Sequence, residues 1–496
     1  MVKTEVLVDR LSMTIENLTP FCVVVALLLA LSNTAARAES QDGPVLRPIL
    51  NQTPSSASMK LLQIEQLAIK TNPTLAMAES MIRAAEGRRK QAGLLPNPVV
   101  GGEAENFAFR FLDKKPTYLG FAVQTIPLGG KLRKMRDIYR AEVSQTEVEA
   151  ATQRQRVLNT IRSLFYRVLG AQQILDIQKE LTKLARDANT TTSELFNVGQ
   201  ADKPDYLESN IEKEMVEHEL VSAQNNYQQS WRTLAVLLGT PEMAPVRLDG
   251  NLEERIGPID EQQLYRRLIE QSPQMKSAEA QIRRARAVLI RAKAEPMPDL
   301  FVRGALGYST EILDTGQEGP APRTGVLGNA QVGVTLPIFN RNPGGIASAQ
   351  SELLFAQREV DRLKMSMRIQ LASAVRDYNT ALDAVTRYRN TIMPQADEAY
   401  QLWKTKFSQM AAAYPQVLIA KRTTFQVRQK YVSSLVRLQQ NSTQLEGFLL
   451  GGGLDTPRTQ FDTAMEHGDI TGLRGMQTSE EGDISSLDEN HNVDHY

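Results

Sequence analysis

The sequence predicts a mainly α-helical chain with a small β portion, built as two tandem copies of one unit. The first observation is an internal repeat, in which the same prolines and charged residues recur about 200 positions apart. The second is a long stretch without proline between Pro127 and Pro204, which a single helix requires. The third is a pair of segments in each copy with the alternating apolar pattern of β-strands.

Residues 1–38 are predicted to be a signal peptide. The apolar run FCVVVALLLALS (Phe21–Ser32) follows two basic residues, and ARA (Ala36–Ala38) supplies a small-residue cleavage site. The run is too short for a membrane span, which needs about 20 apolar residues. The alternative is that the run forms a buried helix of the mature chain. Acidic residues before the run also leave open a start of translation at Met13.

Cys22, the only cysteine, lies in this run. Its removal with the signal peptide would leave a mature chain without disulfides, thiolate metal ligands or a cysteine nucleophile. Residues 39–58 are rich in proline and serine and are expected to form an extended leader. Residues 454–496 are polar and acidic. We expect this tail to be disordered, because it cannot bury enough apolar surface to offset its chain entropy.

Two repeats lie between these ends, at residues 59–250 and 251–453. Residues 71–98 align with residues 271–298 without a gap. The matched pairs include Pro73 with Pro273, Glu79 with Glu279, Arg83 with Arg283 and Pro96 with Pro296. Each repeat is predicted to consist of a helix, a β-hairpin, a very long helix, a turn and a further helix.

Each predicted hairpin has two strands of about ten residues, long enough to cross a bilayer when tilted. The first hairpin consists of Val99–Phe111 and Thr117–Ile126. The second consists of Leu300–Tyr308 and Asn329–Ile338, joined by the Gly- and Pro-rich loop Ser309–Gly328. Apolar residues alternate with polar ones along the second strand of each hairpin.

One unbroken helix is predicted from Lys131 to Val198, about 100 Å long at 1.5 Å per residue. Its apolar positions step by threes and fours, which predicts a coiled-coil seam. They include Val157, Ile161, Leu164 and Val168. The second repeat has the same stepping from Ile346 to Tyr378, and Pro394 is expected to kink or break that helix near its end.

A proline and two glycines follow one another where each hairpin passes into its long helix. We expect Pro127 and Pro337 to end strands, and the glycines to let the chain turn into the helix. The glycines are Gly129 and Gly130 in the first repeat and Gly344 and Gly345 in the second. At the other end of the long helices, turns are predicted near Gly199, Asp202 and Met410.

Four strands cannot close a barrel, and open sheet edges are not tolerated in lipid. A helix of this length also cannot bury its whole seam within one chain. Both problems disappear when several copies pool their strands into one membrane β-barrel and their helices into one tube.

These features resemble the TolC-like outer-membrane efflux protein family over about residues 59–453. The resemblance rests on the tandem repeat and on the motifs GLLPNP (Gly93–Pro98), QTIPLGGKLR (Gln124–Arg133) and VGVTLPIFNRNPGG (Val332–Gly345). The motif YPQVLIAKRT (Tyr414–Thr423) is similar to the heavy-metal-resistance branch of the family.

The resemblance implies a homotrimer with a twelve-stranded β-barrel in the outer membrane and a tunnel of twelve helices in the periplasm. It also implies a periplasmic adaptor protein and an inner-membrane pump as partners. The chain itself would be a passive duct that exports small solutes, heavy-metal cations among them.

By the same resemblance, the turn FNVGQADKPDYLES lies at the periplasmic tip of the tunnel. Asp205 and Glu208 share a helix face there, so three copies would form a carboxylate ring that attracts cations. The alternative is that these acids only stabilise the helix start, with Asp202 as its cap. The family's acidic rings often lie in the second repeat, but Gln416 and Ile419 occupy the matching positions here.

The sequence contains no catalytic motif, and we expect neither an enzyme nor a cofactor. The patterns G-x-S-x-G, H-E-x-x-H and the phosphate loop are absent, and His218 has no second histidine four residues on. The tail sequence DENHNVDHY offers histidines for weak binding of a divalent ion, with a plain solvated tail as the alternative. Because 57 basic residues balance 57 acidic ones, no charge excess points to nucleic acid.

Two further functions stay open. The same duct would serve as the outlet of a type I protein secretion system. The coiled coil would also suit a periplasmic scaffold or adaptor without a pore, although a scaffold needs no hairpins of membrane-spanning length. The cargo, whether metal, drug or protein, stays open as well.

Overall fold

The computed structural model describes residues 58–105, 117–254, 257–309, 312–313, 321–322, 325–409, 411–412 and 414–457. These described residues belong to one compact unit. Several predicted features lie outside the described residues. They are the signal peptide, the leader up to residue 57, the strand end at residues 106–111, most of the loop after Ser309 and the tail from residue 458.

The first repeat consists of two short helices, two hairpin strands, two long helices and two strands of only two residues. Its elements are β1 (Met59–Lys60), α1 (Leu61–Thr71), α2 (Pro73–Gln91), β2 (Val99–Glu105), β3 (Thr117–Pro127), α3 (Lys131–Asn197), α4 (Lys203–Leu237) and β4 (Leu248–Asp249). The second repeat has the same order of helices and hairpin strands, but its long helix is divided by a π-helical turn. Its elements are α5 (Glu261–Gln271), α6 (Pro273–Ala292), β5 (Asp299–Ser309), β6 (Ile312–Leu313), β7 (Ala321–Pro322), β8 (Gly325–Val334), α7 (Pro343–Arg387), a π-helical turn (Tyr388–Ile392), α8 (Met393–Ser408) and α9 (Tyr414–Glu446).

A side-chain cap followed by proline starts α2 and α6 in the same way. The Asn72 side chain accepts a hydrogen bond from the N–H of Thr74. The Ser272 side chain accepts one from the N–H of Met275. Proline is tolerated after each cap because the first N–H groups of a helix have no partner within the helix. The two repeats therefore share local hydrogen bonding as well as sequence.

The hairpins form one antiparallel sheet with the strand order β2-β3-β5-β8. The inner strands, β3 and β5, join the two repeats, with Tyr118 opposite Tyr308 and Pro127 opposite Asp299. β2 and β8 lie at the edges, and neither has a second partner strand among the described residues. Among the same residues, no helix combines the length and the apolar character that a membrane span requires.

β8 begins and ends four residues earlier than predicted, at Gly325–Val334. Its last pair with β5 joins Val334 to Leu300. The prediction that Pro337 ends this strand is therefore wrong by three residues, because register with β5 stops the pairing before the proline is reached. Pro127 does end β3, as predicted.

α3 is one unbroken helix of 67 residues and ends one residue before the predicted boundary. In the second repeat, the 45 residues of α7 continue through the five-residue π turn into the 16 residues of α8. Pro394 lies in the first turn of α8. Because proline has no N–H to donate, a local change of hydrogen-bond register accommodates it. The predicted interruption at Pro394 is confirmed, as a π turn within a continuous helix.

The main hydrophobic core draws on both repeats. It includes Val157 and Ile161 of α3, Trp231 of α4 and Leu438 of α9, all fully or almost fully buried. Gly170 lets α3 approach α9 closely, because an added Cβ would overlap a valine side chain of α9. The predicted apolar stepping of α3 therefore packs against the second repeat of the same chain.

Candidate functional site

Two consecutive left-handed residues make the passage from β3 into α3. Pro127 ends the strand, and Gly129 and Gly130 follow with φ values of 68° and 67°. A side chain is disfavoured in this conformation. At Gly129 an added Cβ would also lie 2.7 Å from the Cβ of Met297, in the loop before β5. This first junction therefore needs glycine for two separate reasons.

Asp299, the first residue of β5, fixes the first junction from the neighbouring strand. Its Oδ1 accepts a hydrogen bond from the N–H of Leu128 at 3.2 Å and lies 2.9 Å from Nζ of Lys131. The Lys131 side chain is only 7% exposed, against 35% for Asp299. A buried ammonium group needs such a partner, so this ion pair holds the first turn of α3. The Asp299 carbonyl also accepts from the N–H of Thr335, so one residue contacts both junctions.

The second junction is built around asparagine instead of glycine. Asn342, the N-cap of α7, is left-handed with φ 55° and ψ 39°. Gly344 and Gly345, expected to be hinges, lie in the first turn of α7 and have no positive φ. Asparagine tolerates the left-handed region, and here its Nδ2 donates to the carbonyl of Ala292 at 3.1 Å. An added Cβ at Gly345 would overlap the Asn342 side chain, so this glycine makes room for the asparagine.

Apolar side chains lie exposed between β8 and α7. Leu336 and Ile338 are both exposed, and Phe339 is 100% exposed. Pro337 lies among them, outside the strand. One copy of the chain therefore presents an apolar segment at the end of its sheet.

Backbone hydrogen bonds close the turn between α3 and α4. Gly199 has φ 75°, and the N–H of Gln200 donates to the carbonyl of Leu195 at 2.8 Å. A left-handed glycine with such bonds is a common helix ending. Phe196 and Tyr206 stack across the turn with ring centroids 5.4 Å apart. The turn is thus held by both backbone and aromatic contacts.

The acidic side chains next to this turn are exposed. Asp202 is the N-cap of α4, but its side chain makes no capping hydrogen bond, so the capping role considered for it does not apply. Asp205 and Glu208 are exposed and have no ion-pair partner among the described residues. Glu212, one turn further on, is paired with Arg422 of α9 at 2.9 Å.

Further along α4, acidic side chains are paired. Arg186 of α3 donates from Nε to Glu217 at 2.7 Å, and this hydrogen bond lowers the pKa of Glu217. A hydrogen bond to Glu214 raises the pKa of Lys213. All four side chains are therefore partnered, in contrast to the two acids nearer the turn.

The turn between α8 and α9 carries different chemistry. Met410 lies outside the described residues. The N–H of Ala411 donates to the carbonyl of Lys406 at 2.9 Å, and Gln416 and Ile419 are exposed at the start of α9. Within the described parts of the chain, no group of three or more histidine, cysteine, aspartate or glutamate residues is arranged to hold a metal ion.

Asp299 and Asn342 were not predicted as site residues from the sequence. For Asn342 a signal existed, since it precedes a proline and the Asn-Pro pair favours a turn. For Asp299 no local signal existed, because Leu128, which it contacts, lies 171 positions away. The structure brings Pro127, Gly129 and Gly130 together with Asp299 at the first junction.

Comparison with known proteins gives one family. The sequence model of the family described as outer membrane efflux protein matches residues 64–240 and 264–452 of this chain. The chain is 26% identical over 426 residues to the cobalt-zinc-cadmium resistance protein CzcC of Cupriavidus metallidurans, which covers 84% of this chain and 96% of that protein. It is 23% identical over 426 residues to the pyoverdine export outer membrane protein OpmQ of Pseudomonas putida, covering 80% of this chain and 87% of that protein.

Solved structures have the same fold at low sequence identity. The CusC transmembrane channel superimposes with a TM-score of 0.65 at 17% identity, over 84% of this chain and 99% of that one. The outer-membrane channel OprN superimposes with a TM-score of 0.63 at 16% identity, over 79% of this chain and 90% of that one.

Proposed function

The chain belongs to the outer membrane efflux protein family, and from this we propose that three copies form the outer-membrane duct of a tripartite efflux system. The family consists of channel proteins and not of enzymes. The protein resides in the outer membrane and extends into the periplasm. In our proposal a periplasmic adaptor protein and an inner-membrane pump complete the assembly, and the duct itself is passive.

The observation that carries the proposal is the four-stranded sheet with two open edges. β2 and β8 run in opposite directions, so β8 of one copy meets β2 of the next as an antiparallel neighbour. Unpaired edge groups are not tolerated in lipid, and closure of the sheet removes them. Three copies would supply twelve strands. The exposed segment from Leu336 to Phe339 adds an apolar surface that assembly or lipid would cover.

Cysteines placed on the two edge strands should cross-link neighbouring copies. Cys22, the only cysteine, is first replaced by serine. Gly102→Cys on β2 is then combined in turn with cysteine at each position from Gly328 to Val332 on β8, which samples the unknown register. We expect at least one pair to give, on oxidation, a covalent ladder that ends at three copies on a denaturing gel.

Cross-linking within one copy is excluded by distance. β2 and β8 are separated by two strands, about 14 Å, whereas a disulfide spans Cα atoms no more than about 7 Å apart. Gly101→Cys with Phe121→Cys is the matched control, since these residues pair within one copy and should give no ladder. A ladder that ends at two copies would contradict the trimer. Failure at every register would favour the scaffold without a pore.

We propose that the turns between α3 and α4 and around Met410 form the periplasmic tip, where the adaptor docks. We further propose that Asp205 and Glu208 of three copies form a carboxylate ring there. Their exposure and lack of ion-pair partners among the described residues support a role other than packing. Carboxylates gathered around an axis attract cations and select against anions.

Asp205→Asn combined with Glu208→Gln should reduce the cation preference of the reconstituted channel. The reversal potential in a salt gradient should move towards zero, because the ring loses its charge. The melting temperature should not change, since neither side chain has an ion pair to lose. Glu212→Gln is the control. It breaks the ion pair with Arg422, so the melting temperature should fall while the cation preference of the channel is kept. A lower melting temperature of the double variant with an unchanged cation preference would show that both acids only stabilise the start of α4.

We propose divalent metal cations as the cargo. The name of the relative CzcC and the YPQVLIAKRT motif support this choice. Deletion of the gene should lower the tolerated concentrations of cobalt, zinc and cadmium several-fold, and a plasmid copy should restore them. Loss of tolerance to organic toxins alone, or loss of pyoverdine export, would assign an organic cargo. Loss of a secreted protein would favour the type I secretion outlet.

A further inference from the structure

A basic cavity of 590 Å³ lies between the end of α2 and the start of α3, beside the first junction. Its lining consists of four cationic side chains with one glycine and one leucine. They are Arg89, Lys90, Gly93, Leu94, Arg136 and Arg140. We call this group the basic groove.

Most of the charge in the basic groove is not neutralised by the protein. Arg140 is paired with Asp137 at 2.9 Å on its own helix. Arg89, Lys90 and Arg136 have no carboxylate within ion-pair distance among the described residues. Three neighbouring cations without counter-charges repel one another, and an anion bound between them would relieve that repulsion.

The backbone helps to position one of these cations. An added Cβ at Gly93 would lie 3.1 Å from Cδ of Arg136, so the arginine side chain lies directly over the glycine. The groove thus has a defined wall, formed where the chain leaves α2 for β2.

Exposed apolar residues continue from the groove towards the sheet. Leu94 and Leu95 are each 58% exposed, and Val99 and Val100 at the start of β2 are also exposed. Arg136 lies in the second turn of α3. Along the chain, cations are therefore followed by apolar side chains and then by the sheet.

We propose that the basic groove binds the phosphate headgroup of an anionic phospholipid in the periplasmic leaflet of the outer membrane. The acyl chains would lie along Leu94, Leu95 and Val99. This order of cation, apolar loop and strand matches the order of phosphate, glycerol and hydrocarbon at a bilayer surface. The inference rests on the proposed function, in which the strands lie in the membrane and the long helices in the periplasm.

The site belongs to the first repeat alone. In the second repeat Leu289 and Ile290 occupy the positions that match Arg89 and Lys90. The fold of this region therefore does not require the cations. One lipid is expected for each copy of the chain.

Native mass spectrometry of the full-length, detergent-solubilised protein can measure lipid binding directly. We expect dioleoyl phosphatidylglycerol to bind about tenfold more tightly than dioleoyl phosphatidylcholine. Arg89→Gln combined with Arg136→Gln should weaken phosphatidylglycerol binding about 30-fold, since two cations near the surface are lost. Arg232→Gln combined with Lys404→Gln, which removes two exposed cations elsewhere on α4 and α8, should leave binding unchanged.

Each arm of the experiment has a contrary outcome. Equal binding of the two lipids by the unaltered protein, or undiminished binding by Arg89→Gln with Arg136→Gln, would overturn the proposal. Full displacement of phosphatidylglycerol by an equal concentration of inorganic phosphate would assign the groove to a free anion. The oligomer mass and the channel conductance of the same samples test the proposed function separately, because the groove variant should stay trimeric and conducting.

Discussion

Replacement of Asp299 with alanine should lower the free energy of unfolding by about 3 kcal/mol. The Lys131 ammonium group would stay buried without a carboxylate, and the N–H of Leu128 would lose its acceptor. Breaking a buried pair by removal of one partner is costly for this reason. The loss should appear as a lower melting temperature of the helical circular dichroism signal.

Two further variants separate charge from hydrogen bonding. Asp299→Asn keeps an acceptor for Leu128 and should cost less than the alanine variant. Asp299→Asn together with Lys131→Met removes both charges and should recover much of the loss. If the double variant is as unstable as Asp299→Ala, the ion pair is not the cause and the junction depends on the backbone alone.

Gly307→Ala should greatly reduce the yield of assembled, heat-modifiable protein. An added Cβ at Gly307 of β5 would overlap the carbonyl oxygen of Tyr118 and lie 2.9 Å from Cα of Leu119. Both are backbone atoms of the paired strand β3, so the clash can be relieved only by separating the strands. Overpacking against side chains typically costs about 1–3 kcal/mol, and a backbone contact leaves less room to adapt.

Gly304, three residues earlier on the same strand, supplies the matched control. A Cβ there would meet no atom within 4 Å. Gly304→Ala should therefore be neutral or stabilising, because alanine loses less backbone entropy than glycine on folding. Equal yields of the two variants on denaturing gels without heating would show that the pairing of β3 with β5 is not limiting for assembly.

The long helices could be predicted from the sequence because their signal is local and continuous. The proline-free interval and its apolar stepping placed the end of α3 within one residue. The single proline at position 394 marked the interruption in the second repeat. Such features depend on neighbours three and four positions apart, which the sequence displays directly.

The junctions could be predicted only in part, because their geometry depends on distant residues. The end of β8 is set by its register with β5, and the register is not visible in the sequence of β8 itself. The glycine pattern suggested Gly344 and Gly345 as hinges, whereas Asn342 takes the left-handed conformation. Asp299 was missed because it contacts Leu128 across the sheet. The exposed acids Asp205 and Glu208 stay a prediction about function.

The π turn from Tyr388 to Ile392 absorbs a difference of one residue between the two repeats. The second repeat has one residue more between Thr335 and Phe407 than the first has between Thr125 and Phe196. A π turn holds one extra residue, which rotates every later side chain by about 100° relative to an unbroken α-helix. This rotation offsets the inserted residue, so matched side chains stay on corresponding faces beyond the turn. In a homotrimer, six helix ends would then present corresponding faces to a docking protein.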